Sequence, residues 1–250
     1  WFVNWADFPS LAVLDNSDWV TFWLQKSDTG AYAYDIHVLR SANGGGRWGK
    51  ALLPHDDATA TEHGFVALLP IAGDRVQIAW LDGRNGTTTA ADHAASHSEE
   101  GAMSLRGAVL EGSGRYREGQ ELDARTCSCC QTDAARIGDR QLLVYRDRSA
   151  NEVRDISLVE RVGAGAWSAP QTVHADQWQT AACPVNGPSI AANGGRAIIA
   201  WPTLAGGTPS VRYLLRQGDA NGPMQTLEEA AAVLGRVDSS AAEGEGFAIS

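Results

Sequence analysis

The residues best suited to chemistry in this 250-residue chain begin with its four cysteines, Cys127-Ser128-Cys129-Cys130 and, further on, Cys183 before Pro184. Cys127 and Cys130 have C-x-x-C spacing. With Cys129, Cys183 and His63 they could hold a soft metal such as Cu(I) or Zn, because thiolate and imidazole donors suit those ions. Four cysteines in an exported protein also pair as two disulfides, and a bridge from the first cluster to Cys183 would staple distant segments. Pairing inside so short a cluster is strained, and the sequence has no second half of a zinc signature. Both readings stand, with the compartment argument favouring disulfides.

A second group is the charged run from Tyr145 to Asp155, containing Asp147, Arg148, Glu152 and Arg154. Guanidinium forks grip carboxylates through two bonds, so this run suits a carboxylate-bearing or polyhydroxy ligand. Alternating charge on a solvated hairpin reads the same way. Asp82-Gly83-Arg84 sits at the matching place earlier in the chain, which pairs Arg84 with Arg148 as ligand contacts. His93 and His97 have a spacing that could bind metal, but they fall in an insertion best read as a surface loop. His55-Asp56-Asp57 and Thr61-Glu62-His63 flank a short loop.

These groups must be positioned by a fold that the rest of the sequence constrains. Forty-four per cent hydrophobic and 20% charged residues describe a chain able to bury a large core. A net charge of −10 repels phosphate backbones, so nucleic acid is not an expected partner. No apolar run approaches the roughly 20 residues of a membrane span. Twenty-seven glycines and few helical patterns favour short strands joined by tight turns.

The strands repeat. β-rich runs ending in an aromatic recur at Val20–Gln25, Val76–Asp82, Leu142–Asp147 and Ala197–Pro202, and the aromatics Trp23, Trp80, Tyr145 and Trp201 lie 57, 65 and 56 residues apart. Each is followed by another strand-like stretch and preceded by one, and a fifth preceding stretch occurs at Arg236–Ala241. Such units match the four-stranded blades of a β-propeller. We read one all-β domain, 1–250, with antiparallel blades at about 5–60, 61–126, 127–182 and 183–233 and part of another at 234–250. The last strand, ending at Phe247–Ser250, is expected to lack a partner.

The innermost strands of a propeller start near its axis, so equivalent starts converge on a funnel. The repeat register places Asp7, His63, Gln131, Asn186 and Arg236 there. A polar ligand site at blade mouths is one reading; strand-end capping and channel hydration is the other.

Ser41-Ala42-Asn43-Gly44-Gly45-Gly46-Arg47-Trp48 resembles the Asp-box of the sialidase-like (BNR) propellers, and Arg161–Trp167 is a weaker copy. The resemblance implies a six-bladed ring, of which this chain is a portion with sequence missing at both ends, and export to the periplasm or cell exterior. It also implies sialidase-type glycoside hydrolysis by arginines that hold the substrate carboxylate, a tyrosine nucleophile with a glutamate, and an aspartic acid. Arg84, Arg148, Arg212 and Arg236 with Glu152 and Asp7 supply those types; Tyr145 holds a core aromatic position, and the Arg-Ile-Pro motif is not found. We therefore expect a glycan or small polar ligand at the funnel, with Asp7, Glu152 and Arg148 as catalytic candidates and His63, Arg84, Gln131, Asp147, Arg154, Asn186 and Arg236 as ligand contacts. The alternative is a non-catalytic propeller with a Cu or Zn site at cysteine and histidine. Oligomeric state is left open.

Overall fold

A computed structural model of the chain describes residues 6–86, 102–233 and 235–250. His93 and His97 lie outside the described residues. The chain packs as two compact units, 1–128 and 129–250. Every regular element among the described residues is a strand.

In the first unit, β1 (Leu11–Val13), β2 (Trp19–Lys26) and β3 (Tyr34–Ser41) form one antiparallel sheet. A second sheet is made of β4 (His63–Ile71), β5 (Arg75–Asp82), β6 (Met103–Leu110) and β7 (Tyr116–Thr126), in that order. The burial patterns follow from strand geometry, in which alternate side chains face opposite sides. β2 is covered on one face and buries Val20, Phe22 and Leu24; β5 is covered on both, so every residue after Arg75 is buried. Those three side chains join Ile36, Val38, Val66, Ile78 and Trp80 in one apolar core between the sheets. Trp23 therefore departs from its predicted equivalents. It lies on the other face of β2, partly exposed beside His37, while Trp80, Tyr145 and Trp201 are buried.

β3 ends in a turn built by side chains. Ser41 donates to Asn43 Oδ1 at 2.9 Å, Asn43 Oδ1 accepts from Arg47 N at 2.7 Å, and Gly45 N donates to Ser41 Oγ at 3.0 Å. Gly45 takes φ +87° directly under the Trp19 ring, where a side chain would be both strained and obstructed.

In the second unit, β8 (Asp133–Ile137), β9 (Arg140–Arg146), β10 (Ile156–Val162) and β11 (Gln171–Thr172) form a four-stranded antiparallel sheet. The next sheet runs β12 (Ser189–Asn193), β13 (Arg196–Thr203), β14 (Ser210–Gln217) and β15 (Ala220–Asn221), with β16 (Gln225–Glu229) also pairing with β14. The chain then forms a hairpin of β17 (Ser239–Ala241) and β18 (Phe247–Ile249). The segment expected to be an isolated strand is thus paired, and Asp238 and Ser250 exchange backbone bonds beyond its end.

Within each unit, neighbouring inner strands are pinned by one carboxylate. Asp7 accepts from the backbone N–H of Phe65, and Asp133 accepts from that of Ile190 at 2.8 Å. Ser189 Oγ in turn accepts from Ser239 N at 2.9 Å. These contacts hold the starts of consecutive inner strands side by side.

Candidate functional site

The charged run folds into a compact ion cluster in the second unit. Arg148 donates to both oxygens of Glu152 through Nε (3.1 and 3.2 Å) and to Oε1 through Nη2 at 2.8 Å. Arg154 approaches the same carboxylate from the other side, its Nε 3.1 Å and Nη2 2.6 Å from Oε2. Both arginines are buried, whereas the Glu152 side chain keeps 22% exposure. Burial pushes the Glu152 carboxyl upward, but the hydrogen bonds from Arg148 and Arg154 outweigh it and hold the group below its ordinary range. Glu152 is therefore an ionised acceptor at neutral pH rather than a proton donor. Its backbone sits at φ +59°, a conformation uncommon for a residue with a side chain.

The surrounding contacts fix this cluster. Asp147 accepts from Arg148 N at 2.6 Å and from Ser157 Oγ at 3.0 Å. The segment 177–180 runs alongside: Asp155 accepts from the backbone N–H groups of Gln177 and Trp178, Arg154 N donates to the Trp178 carbonyl, and Thr180 N to that of Glu152. Trp178 is partly exposed, and the Arg146 guanidinium lies 4.9 Å from its ring centroid. Arg146 spends its donors on carbonyls: Asn186 at 3.1 and 2.9 Å, Arg154 at 2.6 Å and Pro202 at 2.7 Å. Reading the sequence missed this arginine as the anchor of the cluster, since its partners lie up to 56 residues away.

Of the other predicted contacts in this unit, Gln131 accepts from Gly187 N at 2.9 Å, and Asn186 offers its carbonyl to Arg146. Gln131 thus links the approaches to β8 and β12, and Asn186 ties the approach to β12 to the end of β9. Arg236 is exposed on the approach to β17. Arg212 pairs with Asp176, which also accepts from Trp201 Nε1 at 2.7 Å, so Arg148 and Arg212 serve different carboxylates.

In the first unit, Asp7, His63 and Arg84 lie around the start of β4. Arg84 clasps Asp82 through Nε and Nη2, both at 2.8 Å, and reaches Asp57 at 3.1 Å. His63 is fully buried and stacks on His55, ring centroids 3.8 Å apart and planes within 2°. Burial, and after it the neighbouring His63, push His55 down to about 4, so it is neutral near pH 7. Desolvation would raise Asp57, but Thr59, His63 and Arg84 together hold it at about 2. The arginines Arg84 and Arg148, matched by sequence register, thus bind different internal partners: Arg84 the aspartate two residues before it, Arg148 the glutamate four residues after.

Beside this group stands a second carboxylate pair. The Tyr34 hydroxyl donates to Glu62, and burial raises Glu62 to about 8, with nearby Asp7 adding to the rise. Asp7 itself is raised to about 7 by burial, partly offset by the backbone N–H groups of Phe65 and Phe8. Burial thus brings Asp7 and Glu62 toward neutrality, as it does Asp133 in the second unit, raised to about 6. Tyr34 is completely buried.

Cys129 and Cys183 form a disulfide within the second unit, with Cα atoms 6.3 Å apart. Cys127 and Cys130 are buried thiols. One of the two expected bridges is formed, and it removes two of the four sulfurs that a soft metal would use.

No protein-family model and no curated protein sequence matches this chain. Among solved structures it is similar to an α-L-arabinanase of Penicillium chrysogenum complexed with arabinobiose, at 11% identity and TM-score 0.63, over 98% of this chain and 74% of that one. It is similar to a Trypanosoma rangeli sialidase in complex with the inhibitor DANA, at 11% identity and TM-score 0.60, over 96% of this chain and 43% of the sialidase. A lectin of Burkholderia pseudomallei matches at 13% identity and TM-score 0.57, over 94% of this chain and 59% of the lectin. The fold is that of the sialidase-like β-propellers.

Proposed function

We propose that this chain is an exported, glycan-binding propeller whose ligand meets Asp147, Arg148, Glu152 and Arg154 beside Trp178, and that its activity, if it turns substrate over, is of the exo-glycosidase, sialidase type. The observation that carries this reading is the convergence of two buried guanidinium groups on one ionised, partly exposed carboxylate, with the partly exposed Trp178 tied to the cluster through its carbonyl, which accepts from Arg154 N, and through its ring against Arg146. An ionised carboxylate accepts hydrogen bonds from sugar hydroxyls, charge-assisted bonds of this kind are the stronger ones, and an aromatic face covers the apolar side of a sugar ring. The solved relatives support the class of ligand, since an arabinanase, a sialidase and a lectin share the fold. Fold alone does not carry a function across propellers, so the local site bears the argument. The disulfide supports export.

Titration with acidic and neutral oligosaccharides, followed by tryptophan fluorescence, tests the reading. Binding is expected to be lost in Trp178→Ala and weakened at least about tenfold in Arg148→Ala, in line with loss of a charge-assisted contact. Arg148→Ala is also expected to lower unfolding stability by about 3 kcal/mol, because Glu152 loses half of its support. Trp178→Ala serves as the variant that leaves the ion cluster intact. No response to any glycan would overturn the proposal. Release of a fluorescent aglycone from a sialoside separates the hydrolase from the binding module.

A further inference from the structure

We propose that His63, Asp57 and Asp82 form a site for a divalent metal ion of the zinc class, held by Nε2 of the imidazole and one oxygen from each carboxylate. The argument begins with the hydrogen-bonding inventory of His63. Its Nδ1 lies 3.2 Å from the Tyr34 carbonyl oxygen and 3.7 Å from the Asp35 carboxylate. Its Nε2 lies 3.3 Å from Asp57 and 3.8 Å from Asp82. Every one of these neighbours is an acceptor. A neutral imidazole has a single N–H. The Tyr34 carbonyl on one side and the Asp57 carboxylate on the other, whose Oδ2 is 3.3 Å from Nε2, both only accept, so one ring nitrogen faces acceptors with a lone pair; in the proposed site the proton is on Nδ1, which leaves the Nε2 lone pair toward the two carboxylates. A cation between them turns three mutually repelling donors into a coordination set.

A second observation is independent of the histidine. The Asp57 side chain is only 8% exposed, and its buried Oδ1 has ion-pair contacts, 3.1 Å from Arg84 Nη2 and 3.3 Å from both His55 Nδ1 and His63 Nε2, but no contact with hydrogen-bond geometry among the described residues. Buried carboxylate oxygens without an aligned hydrogen-bond donor are costly and mark an ion or a functional group. The donor atoms of Asp57, His63 and Asp82 lie within 4.8 Å of one another, compatible with metal–ligand bonds of roughly 2.0–2.2 Å after small side-chain adjustments. Charge points the same way. Three carboxylates, Asp35, Asp57 and Asp82, surround the imidazole, and the single positive charge of Arg84 is shared between Asp82 and Asp57. The two negative charges left over match a divalent cation.

The neighbours supply the outer support that such sites use. Arg84 and Trp80 Nε1, the latter at 2.8 Å, orient Asp82, and the Thr59 hydroxyl orients the second oxygen of Asp57. His55 Nδ1 stands 3.3 Å from Asp57, stacked on His63. Imidazole and carboxylate donors suit borderline ions such as Zn²⁺ and Co²⁺ rather than Cu(I). The site therefore differs in kind from a thiolate centre.

The test is titration of the metal-stripped, intact protein with Co²⁺, read by visible absorption. The expected result is about one Co²⁺ per chain, with d–d bands and no sulfur-to-cobalt charge-transfer band. Asp57→Asn, which keeps the shape of the side chain, should weaken binding at least tenfold, consistent with the loss of a ligand. His63→Gln should do the same, with circular dichroism checking the fold of each variant. Absence of Co²⁺ uptake, a thiolate charge-transfer band, or unchanged affinity in Asp57→Asn would overturn the assignment. So would nitrogen NMR showing both His63 ring nitrogens protonated in the presence of the metal, since a proton would then occupy the place assigned to the ion.

Discussion

At the scale of single residues, this protein places several carboxyl groups in partly or wholly buried positions and divides them by partner. Glu152 and Asp57 have cationic neighbours and are held low; Asp7 and Glu62 have hydrogen bonds that offset burial only in part, and burial raises them to about 7 and 8. The folded state consequently binds protons at these two sites that the unfolded chain would release. Their contribution to stability is fully present below the ordinary carboxylate range and is lost as pH rises through 7 to 8. The midpoint of thermal unfolding should fall between pH 5 and pH 9. Glu62→Gln, which still accepts from Tyr34, should flatten that fall. An equal fall in both proteins would show that Glu62 does not carry the effect.

At the scale of elements, the turn after β3 offers a clean comparison. Alanine at Gly45 meets both a positive φ of 87° and the Trp19 ring, 2.9 Å from the new Cβ; alanine at Gly73 meets a similar φ of 81° and no atom within 4 Å. Gly73→Ala should cost about 1 kcal/mol from backbone strain alone, and Gly45→Ala about 2 to 3 kcal/mol because the ring must also move. Denaturant midpoints of the two variants measure the difference. The strands themselves were legible because β-branched runs ending in aromatics recur at intervals close to one repeat, each followed by another strand-like stretch, as β5 is by β6. The starts of inner strands were placed within a few residues: His63 opens β4, but β1 begins four residues after Asp7. What the sequence hid was pairing across distance. Arg146 looks like any polar residue ending a strand, and only folding brings the carbonyls of Asn186 and Pro202 to it. His55 and Asp57 read as a loop, because nothing local announces that the loop turns inward onto His63.

At the scale of the molecule, a chain with a net charge of −10 repels polyanions. The disulfide between Cys129 and Cys183 closes a loop with a sequence separation of 54. Restricting the unfolded ensemble in this way is worth roughly 4 kcal/mol on chain-entropy grounds. Cys183→Ser should lower stability by an amount of that order, measured by denaturant unfolding under non-reducing conditions; an unchanged midpoint would mean the bridge contributes nothing. The same bond has a consequence for how proteolysis shows itself. The segment it encloses includes the Arg148 cluster and the exposed stretch around Gln171 and Thr172, so a protease that nicks this stretch severs the backbone without releasing either piece. Digested material should migrate as a full-length band until a reductant is added, and wear would accumulate as hidden cuts rather than lost protein.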